Sequence, residues 1–359
     1  MIEKNGSAFD ESAFRASEII GLPSGSEKRI RFADELQPIG TYAYVDPYYN
    51  VLQGFEAVQD NEIDDPEFKN KDWWWDHKSI RFLNAKVGMK ILLLALPFLW
   101  FLFLWVSGPL AVSWLVAEFM NRTSVPEVVD FIVYIVAFVL SFGWMILVLW
   151  VGPSVTNWLM STGVGFFLKP FEKTIEKRVD EVLEDGCSEF NRVTGQVRFA
   201  MGRRRFFEAP FVEFDAYVER IIQHGGIFYR LMFIHRYTQK TFNQTWLSGI
   251  EATKGEVLAL WDMIQRYMDV SEPLPDVPRL EPFRHLDPVT RQHDNETNRN
   301  PRYWRDLDLE TWKAGEGAEM LRRQNQYPWA SRRCKLTPQL GRVSMAEYRN
   351  MRPATAWPI

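Results

Sequence analysis

The sequence ILLLALPFLWFLFLWVSGPLAVSWLVA at residues 91–117 and the sequence FIVYIVAFVLSFGWMILVLWVGP, which begins at Phe131, decide the fold of this chain. Neither run contains a charged residue, and the second meets none before Lys169. About 20 consecutive apolar residues are enough for a helix to cross the ~30 Å hydrocarbon layer of a bilayer. Both runs exceed that length, so the sequence predicts a transmembrane helical hairpin.

The rest of the chain has the composition of a water-soluble protein. The mean hydropathy over 359 residues is −0.23, so the apolar residues are concentrated in the two runs. The net charge of −4 argues against nucleic acid as a partner. Two distant cysteines, Cys187 and Cys334, are too few for a disulfide framework and indicate a reducing compartment. The polar first 30 residues lack a secretory signal, so the first span is expected to act as its own insertion signal.

The distribution of basic residues predicts the orientation of the hairpin. Lysine and arginine collect on the cytoplasmic side of membrane helices. Arg122 is the only basic residue between the spans, whereas basic residues flank both outer ends: Lys69, Lys71, Lys78, Arg81, Lys86, Lys90, Lys169, Lys173, Lys177 and Arg178. The sequence therefore predicts a multi-pass membrane protein with both termini cytoplasmic and the lipid bilayer as a partner.

Tryptophans cluster around the spans. Indole prefers the headgroup level of a bilayer, where its ring is half buried and its N–H is hydrated. The run Trp73, Trp74 and Trp75, with lysines close by, predicts contact with the membrane interface, and Trp158 is assigned the same role. The alternative for the first three is a place in a globular core.

These patterns divide the chain into five parts. Gly152 and Pro153 are expected to end or kink the second span. Residues 271–359 combine a proline-rich linker with recurring aromatic residues, which favours wrapping over the sheet domain rather than disorder. The predicted parts are an N-terminal cytoplasmic region (1–85), the hairpin (86–153, spans about 91–117 and 131–152), an interfacial segment and linker helix (154–186), an antiparallel sheet with a closing helix (187–270), and this tail (271–359).

Residues 187–270 change from helical to strand periodicity. Two alternating arms surround Thr194 and Gly195, a typical hairpin signal, and further alternating arms follow. A helix with one apolar stripe, formed by Val257, Leu260, Trp261, Ile264 and Met268, comes next. The fold class is therefore an α+β membrane protein. The order of strands and one closing helix resembles a pleckstrin-homology-like (PH-like) barrel, although we count only four or five arms.

The hairpin motif also supports a more specific resemblance. Phe190, Asn191, Arg192, Thr194, Gly195 and Val197 form an FNR-x-TG-x-V pattern. With the two preceding spans, it resembles a poorly characterised bacterial family of two-span membrane proteins, over roughly residues 70–270. Members of that family tend to be encoded near type VI secretion and polymorphic-toxin genes. The resemblance implies an inner-membrane protein linked to interbacterial competition, and it implies no catalytic residue.

The remaining chemistry-bearing residues give weak signals. Arg203, Arg204 and Arg205 form the sharpest basic cluster, which predicts either a solvated hairpin tip or contact with anionic lipid headgroups. His235 shares a strand face with aromatic residues and is expected to be a hydrogen-bonded histidine of the core or its rim rather than a general base. No nucleophile, metal or phosphate-binding motif is present, so no catalytic residue, cofactor or metal is predicted.

Two functions follow from these observations. The first is a non-enzymatic, membrane-anchored interaction protein, an immunity or accessory protein that binds a toxin or secretion component. The alternative is a membrane-inserting toxin or effector that oligomerises through the hairpin, with residues 1–85 as a delivery region. Two spans without an ionisable group make transport by a monomer a poor explanation, whereas a homo-oligomer remains possible. A third, weaker interpretation is a lipid-sensing module that uses the arginine cluster.

Overall fold

The computed structural model describes residues 9–25, 33–59, 74–83, 87–123, 126–158, 187–202, 205–224, 226–242 and 250–359. The chain divides into two compact units. The helical unit is Ala85–Val182, and the sheet domain combines Met1–Asn84 with Leu183–Ile359. The helical unit is therefore an insertion in the sequence of the sheet domain.

Two of the described helices lie in the helical unit, and all other described helices and strands lie in the sheet domain. The described α-helices are α1 (Tyr48–Gln59), α2 (Val87–Arg122), α3 (Glu127–Trp158), α4 (Lys254–Met268), α5 (Pro288–Thr297), α6 (Tyr303–Asp306), α7 (Leu309–Ala314), α8 (Glu316–Gln326) and α9 (Met345–Met351), and a 3₁₀ helix of nine residues spans Pro278–Leu286. The strands are β1 (Ala33–Leu36), β2 (Ser79–Leu83), β3 (Cys187–Asn191), β4 (Gln196–Gly202), β5 (Arg205–Pro210), β6 (Phe214–Gln223), β7 (Gly226–His235) and β8 (Thr241–Phe242).

The helical unit consists of α2, with 36 residues, and α3, with 32 residues. Both helices are long and apolar enough to cross a membrane. Large apolar side chains such as Phe103, Trp114 and Phe138 are exposed around them. A helix that is apolar on all sides is typical of a membrane span when it is not buried in protein. The two predicted apolar helices are thus present.

The boundaries of the second helix differ from the prediction. α3 continues through Pro153 to Trp158 instead of ending near Gly152. Proline removes one hydrogen bond of the helix, and that loss is tolerated where the residues beyond it complete the turn. Residues 154–158 therefore belong to α3 rather than to a separate interfacial segment. The predicted linker helix lies in residues 159–186, outside the described residues.

Glycines allow α2 and α3 to approach closely. A Cβ atom added at Gly108 would lie 2.1 Å from Cδ1 of Trp144, and one at Gly152 would lie 2.8 Å from Cε2 of Phe101. The indole N–H of Trp144 also donates a hydrogen bond to the carbonyl oxygen of Leu104 at 2.9 Å. Small residues that admit a large partner and polar groups that bond across helices are the usual basis of helix association in lipid.

We expect replacement of Gly108 by alanine to weaken this pair of helices. The new Cβ would displace a rigid indole ring and break its hydrogen bond, which costs about 1–3 kcal/mol. Gly143 is the matched control, since a Cβ there meets no atom within 4 Å. Titration of the micelle-bound full chain with a denaturing detergent, followed by circular dichroism, should show earlier loss of helicity for Gly108→Ala and no change for Gly143→Ala. Equal midpoints for the two variants would contradict the packing described.

The sheet domain contains two antiparallel sheets, with the strand orders β1-β6-β7-β8 and β2-β3-β4-β5 among the described residues. In the second sheet, β2 pairs with β3 from Ser79 opposite Asn191 to Leu83 opposite Cys187. These two strands lie on either side of the helical unit in sequence. The chain therefore leaves the sheet at Leu83 and returns beside the same residue.

The observed domain corrects the division made from the sequence. Residues 1–85 and 271–359 were predicted as separate parts, but the described residues of both belong to the sheet domain. The first part supplies β1 and β2, which have four and five residues and are too short for a clear period-two pattern. The prediction also missed β6, which pairs with β1 on one side and with β7 on the other. The hairpin at Thr194 and Gly195, the strand before His235 and the helix α4 were predicted correctly.

Helix α4 is at the centre of the core. Its apolar stripe is buried as predicted, and Trp261 packs with its ring centroid 5.8 Å from that of Phe211 and 5.9 Å from that of Phe233. The polar side of α4 is buried as well, because the N-terminal and C-terminal segments cover it. The aromatic tail contributes directly to this cover: Trp312 stacks on Tyr48 with 5.7 Å between ring centroids. The wrapping expected of the tail is thus observed.

Candidate functional site

The arginine of the FNR motif holds the end of the central helix. Arg192 is fully buried. Its guanidinium donates hydrogen bonds to the carbonyl oxygens of Asp269, at 3.0 Å, and Glu272, at 2.7 Å, and also to that of Tyr267. These carbonyls belong to the end of α4 and the segment after it, where a helix has no hydrogen-bond donors of its own. A cation there also interacts favourably with the helix dipole.

A buried carboxylate completes this arrangement. Oδ1 of Asp287 lies 3.4 Å from Nε of Arg192, and both side chains are fully buried. Asp287 also caps the N-terminus of α5, where its Oδ2 accepts a hydrogen bond from the backbone N–H of Thr290 at 2.9 Å. One ion pair thus joins the β3–β4 turn, α4 and α5. Arg192 is fully buried and bound to groups from three parts of the fold, so it has a structural role.

The rest of the motif shapes the turn. The backbone N–H of Thr194 donates to Oδ1 of Asn191 at 3.0 Å. Gly195 has a φ of +68°, and a Cβ added there would lie 2.6 Å from the carbonyl oxygen of Ser12. Glycine tolerates both the positive φ and the close approach of Ser12, because it has no Cβ atom. The FNR-x-TG pattern therefore encodes a hairpin against which the N-terminal segment packs.

A second buried cluster fastens the C-terminal helix α9. Glu213 is fully buried, and its Oε1 accepts hydrogen bonds from the hydroxyl of Tyr348 at 2.8 Å and from Nε of Arg352 at 2.7 Å. Its Oε2 lies 2.7 Å from Nε2 of His235. Burial alone would raise the pKa of Glu213, but the hydrogen bonds from His235 and Arg352 outweigh it and the pKa is lowered. Glu213 is therefore a carboxylate in the folded protein.

His235 is the neutral member of this cluster. Burial lowers its pKa below the usual value of 6.5, and this effect outweighs the attraction of Glu213. Its Nδ1 accepts a hydrogen bond from the backbone N–H of Thr238 at 3.2 Å, so Nε2 carries the proton and donates it to Glu213. The expectation of a hydrogen-bonded core histidine is confirmed. With no exposure to solvent, this dyad cannot reach a substrate.

A third cluster binds the N-terminal segment to α4. Oδ1 of Asp262 accepts hydrogen bonds from the backbone N–H of Ala43 and from Nη1 of Arg332, each at 2.7 Å. Its Oδ2 accepts one from Nε of Arg266 at 3.2 Å, and Arg266 also pairs with Asp46. Asp262 thus joins α4 to segments more than 200 residues before it and 70 residues after it.

Glu256 makes a fourth link, at the start of α4. Its Oε1 accepts hydrogen bonds from the backbone N–H groups of Tyr49, at 2.9 Å, and Asn50, at 3.1 Å, in the first turn of α1. Among the described residues, its other oxygen is buried without a hydrogen-bond partner. Burial raises the pKa of Glu256 to about 7.

This pKa predicts a pH-dependent stability. At pH values between 4.5, the usual pKa of a glutamate, and about 7, the unfolded chain has released the proton of Glu256 while the folded protein keeps it. The contribution of Glu256 to stability is therefore lost as the pH rises through this window. Relative to the wild type, Glu256→Gln should gain about 2–3 kcal/mol of unfolding free energy between pH 5 and pH 8. Urea titrations of the full chain in micelles at both values test this, with Glu310→Gln, at an exposed position, as control. A difference between Glu256→Gln and wild type that stays constant with pH would contradict it.

The residues predicted to contact the membrane, the arginine cluster and four tryptophans, differ in their exposure to solvent. Arg203, Arg204 and Trp73 lie outside the described residues. Arg205 is exposed at the first position of β5, and Trp158 is exposed at the end of α3. Trp74 is exposed, whereas Trp75 is buried in the core.

The burial of Trp75 corrects its assignment to the membrane interface. The guanidinium carbon of Arg279 lies 5.1 Å from its ring centroid. An arginine above an indole face is a favourable cation–π arrangement. The alternative of a core position, left open from the sequence, is the correct one for this residue.

A surface cleft of about 300 Å³ lies between the N-terminal segment and α9. Its walls combine apolar and polar groups, among them Phe14, Ile19, Gln196, Phe211, Tyr348 and Arg352. The guanidinium of Arg352 and the hydroxyl of Tyr348 both donate hydrogen bonds to the buried carboxylate of Glu213. Among the described residues no group of three or more His, Cys, Asp or Glu side chains is arranged to hold a metal ion.

Comparison with known proteins adds no relative. No protein-family model matches the chain, and neither a curated protein nor a solved structure is similar to it.

Proposed function

We propose that this protein is a non-enzymatic interaction protein of the bacterial inner membrane. The helical unit crosses the bilayer as a hairpin, and the sheet domain lies in the cytoplasm with both termini. The observation that carries this proposal is the pairing of β2 with β3. The strands that precede and follow the helical unit in sequence pair in a single sheet, which supports an arrangement with both ends of the hairpin on the same side of the bilayer.

The chemistry of the helices supports the same arrangement. Exposed apolar side chains on both helices would be costly in water, whereas a bilayer covers them. Arg122, at the end of α2, is the only basic residue between the two apolar runs, and lysines and arginines lie beyond their outer ends. This bias favours a cytoplasmic sheet domain.

The strand order supports a PH-like barrel. Strands β2, β3, β4 and β5 are successive antiparallel neighbours, as are β6, β7 and β8, and α4 follows. Four strands, three strands and a closing helix are the order of elements in such a barrel. In this interpretation, the helical unit is inserted between the first two strands of the barrel.

The register of the second sheet supports contact between the arginine cluster, Arg203–Arg205, and lipid headgroups. Leu83 is opposite Cys187 at one end of the second sheet, and Gly202 is opposite Arg205 at that same end, because successive strands are antiparallel. Arg205 therefore lies at the same end of the sheet as Leu83, the last residue of β2 before the chain continues into α2. An arginine near an anionic leaflet adds about 1 kcal/mol of attraction. We propose headgroup contact for Arg205, and for Arg203 and Arg204 from their place in the sequence.

Within this framework we favour an immunity or accessory protein of a type VI secretion toxin system, with a toxin or secretion component as partner. The resemblance of the FNR-x-TG-x-V region to the two-span family supports this context. The alternative, a membrane-inserting toxin, needs residues 1–85 as a detachable delivery region. That role fits poorly with Val51 and Phe55, which are fully buried in the core of the sheet domain.

Expression of the full chain alone and with its neighbouring genes separates the two functions. We expect the protein to stay with membranes after carbonate extraction, to leave growth and membrane potential unchanged, and to rescue cells from a toxin encoded beside it. Growth arrest with loss of membrane potential would favour the toxin instead. Release by carbonate would remove the membrane anchor, and with it the proposal.

A further inference from the structure

The segment that follows α9 returns to the edge of the second sheet. Strand β5 is the last strand of that sheet among the described residues. The backbone N–H of Trp357 donates a hydrogen bond to the carbonyl oxygen of Glu208 in β5 at 2.6 Å. A segment bonded to the backbone of an edge strand resembles a peptide recognised by strand addition. Residues 354–359 therefore lie on β5 in the manner of a bound peptide.

The ring of Trp357 lies between an aromatic ring and a cation. It stacks on Phe207 with 5.1 Å between ring centroids, and Nζ of Lys240 lies 3.8 Å from the centroid of Trp357. Stacked aromatic rings attract one another, and an indole face is the best aromatic partner for a cation. This pair of neighbours therefore favours a tryptophan over an aliphatic side chain.

The backbone of Trp357 is bound at both of its polar groups. In addition to the bond from its N–H, its carbonyl oxygen accepts a hydrogen bond from Nη1 of Arg352 at 2.9 Å. Arg352 is itself fixed by Glu213, whose Oε1 accepts from Nε of Arg352 at 2.7 Å. The N–H, the carbonyl and the indole ring of one residue thus each meet a group of the sheet domain. We name these groups the tryptophan slot: Phe207, Glu208, Lys240 and Arg352.

The slot is formed by the fold rather than by its occupant. Gln239, directly before Lys240, has a φ of +57°, and its backbone N–H donates to the carbonyl oxygen of His235 at 2.9 Å. Its side chain donates to the carbonyl oxygen of Arg236 at 2.7 Å. The carbonyl oxygen of Lys240 accepts from the N–H of His235 at 2.9 Å. A non-glycine residue at positive φ persists only where surrounding contacts impose it, so this turn fixes the backbone that carries the cation.

The occupant is attached less firmly than the slot. Ala354, Thr355 and Pro358 are exposed. Among the described residues, the backbone of 354–359 is bonded to β5 at Trp357 alone. Segments with few backbone hydrogen bonds and exposed residues open locally at a small free-energy cost. The slot is therefore fixed, whereas residues 354–359 are the part that can leave it.

We propose that the tryptophan slot is a docking site for the protein partner, which presents a tryptophan in a segment similar to residues 353–359. The inference deepens the proposed function and rests on it. In the free protein Trp357 fills the slot, and in the complex the partner's tryptophan takes its place. Tryptophan is enriched among the residues that dominate binding at protein interfaces. The tethered segment competes with the partner, which keeps the slot closed to weaker peptides.

Peptide binding to the chain in micelles tests the proposal. The probe is a fluorescent peptide with the sequence of residues 353–359, and its binding is measured by anisotropy. One receptor is a chain that ends at Pro353. The other is the full chain with Trp357→Gly, which empties the slot without a deletion. We expect both to bind the probe with a Kd below about 100 μM, and the wild-type chain to bind it at least tenfold more weakly, because its own segment competes.

Variants of the probe and of the receptor show whether the slot is the site of binding. A probe with Trp357→Ala should bind at least tenfold more weakly. In the chain that ends at Pro353, Lys240→Gln should weaken binding of the unchanged probe at least threefold, because the cation above the ring is lost. Lys335→Gln is the matched control, since Lys335 packs on Gly40 rather than on the slot, and it should leave the Kd unchanged.

The remaining outcomes would overturn the proposal. Equal binding to the wild type and to the emptied chains would place the probe elsewhere on the protein. Emptied chains that bind no probe, or that lose the circular dichroism of the wild type, would make residues 354–359 a permanent part of the fold. A wild-type chain that is dimeric in micelles but monomeric when it ends at Pro353 would assign the slot to a second copy.

The proposed function fails by different measurements. Probe binding in micelles needs neither a bilayer nor the partner, so its absence would leave membrane anchorage and rescue from a toxin as they are. Release of the protein by carbonate, with probe binding intact, would refute the anchor and leave the slot.

Discussion

Replacement of Arg192 by methionine should lower the unfolding free energy of the sheet domain by about 3–5 kcal/mol. Methionine fills a similar volume, but it leaves the carbonyls at the end of α4 without donors. It also leaves the buried carboxylate of Asp287 without its cation. An unpaired buried charge and several unsatisfied acceptors are among the most destabilising changes known for single substitutions.

The comparison variants make this expectation specific. Arg198 lies in the same hairpin and pairs with Glu189 at 3.1 Å, but its side chain is partly exposed, so Arg198→Met should cost less than 1 kcal/mol. Arg192→Lys keeps the charge but cannot reproduce the fork of donors, so it should be intermediate. Urea unfolding of the full chain in micelles, followed by tryptophan fluorescence, measures all three. A loss below 1 kcal/mol for Arg192→Met would show that the motif does not hold α4.

Replacement of Glu213 by leucine should release the C-terminal helix α9. The substitution removes the acceptor shared by His235, Tyr348 and Arg352, and it leaves the cation of Arg352 buried without a partner. We expect a loss of about 3–4 kcal/mol. Because the lost contacts join the residue before β6 to α9 and to Arg352 directly after it, local opening of the C-terminus should precede global unfolding.

Limited proteolysis detects that local opening. Trypsin should cleave after Arg349 and Arg342 at least tenfold faster in Glu213→Leu than in the wild type. Glu347→Gln is the control, because Glu347 is exposed on α9 and its side chain has no part in the cluster. Adding Arg352→Met to Glu213→Leu should restore part of the lost stability, since it removes the unpaired cation. Equal cleavage rates for Glu213→Leu and Glu347→Gln would contradict the role given to the cluster.

Local patterns in the sequence were enough for the elements that depend on local chemistry. The length of the two charge-free runs predicted α2 and α3, and Thr194 with Gly195 predicted the β3–β4 turn. Both signals are contained in a short stretch of sequence, because a tight turn needs a residue such as Gly195 that accepts a positive φ. The stripe from Val257 to Met268 predicted α4 for the same reason. These signals need no knowledge of what the rest of the chain does.

Features that depend on distant residues could not be predicted in this way. Asp262 and Arg266 look like the solvated face of an amphipathic helix, and only the return of the N-terminal segment and the tail shows that they are buried. Leu83 and Cys187 pair although the whole helical unit separates them in sequence, and no periodic pattern near either residue indicates this pairing. Trp75 has the composition of an interfacial residue, but its neighbour Arg279 lies about 200 residues away in sequence.

A disulfide between the strands that flank the helical unit tests the central claim. Leu83→Cys, in a Cys334→Ser background, places a thiol opposite Cys187. Paired strands bring such Cα atoms within about 4.5–5.5 Å, which suits a disulfide. Ser79→Cys is the control, because residue 79 lies four positions before residue 83 in β2, about 13 Å from it along the strand. Both variants carry a protease site between α2 and α3.

Membranes containing each variant are oxidised, solubilised, cleaved and separated on a non-reducing gel. The account predicts that the two fragments of the Leu83→Cys protein remain joined and separate on reduction, while those of the Ser79→Cys protein separate at once. Fragments of Leu83→Cys that separate as completely as those of the control would contradict the claim that one sheet receives both ends of the membrane hairpin.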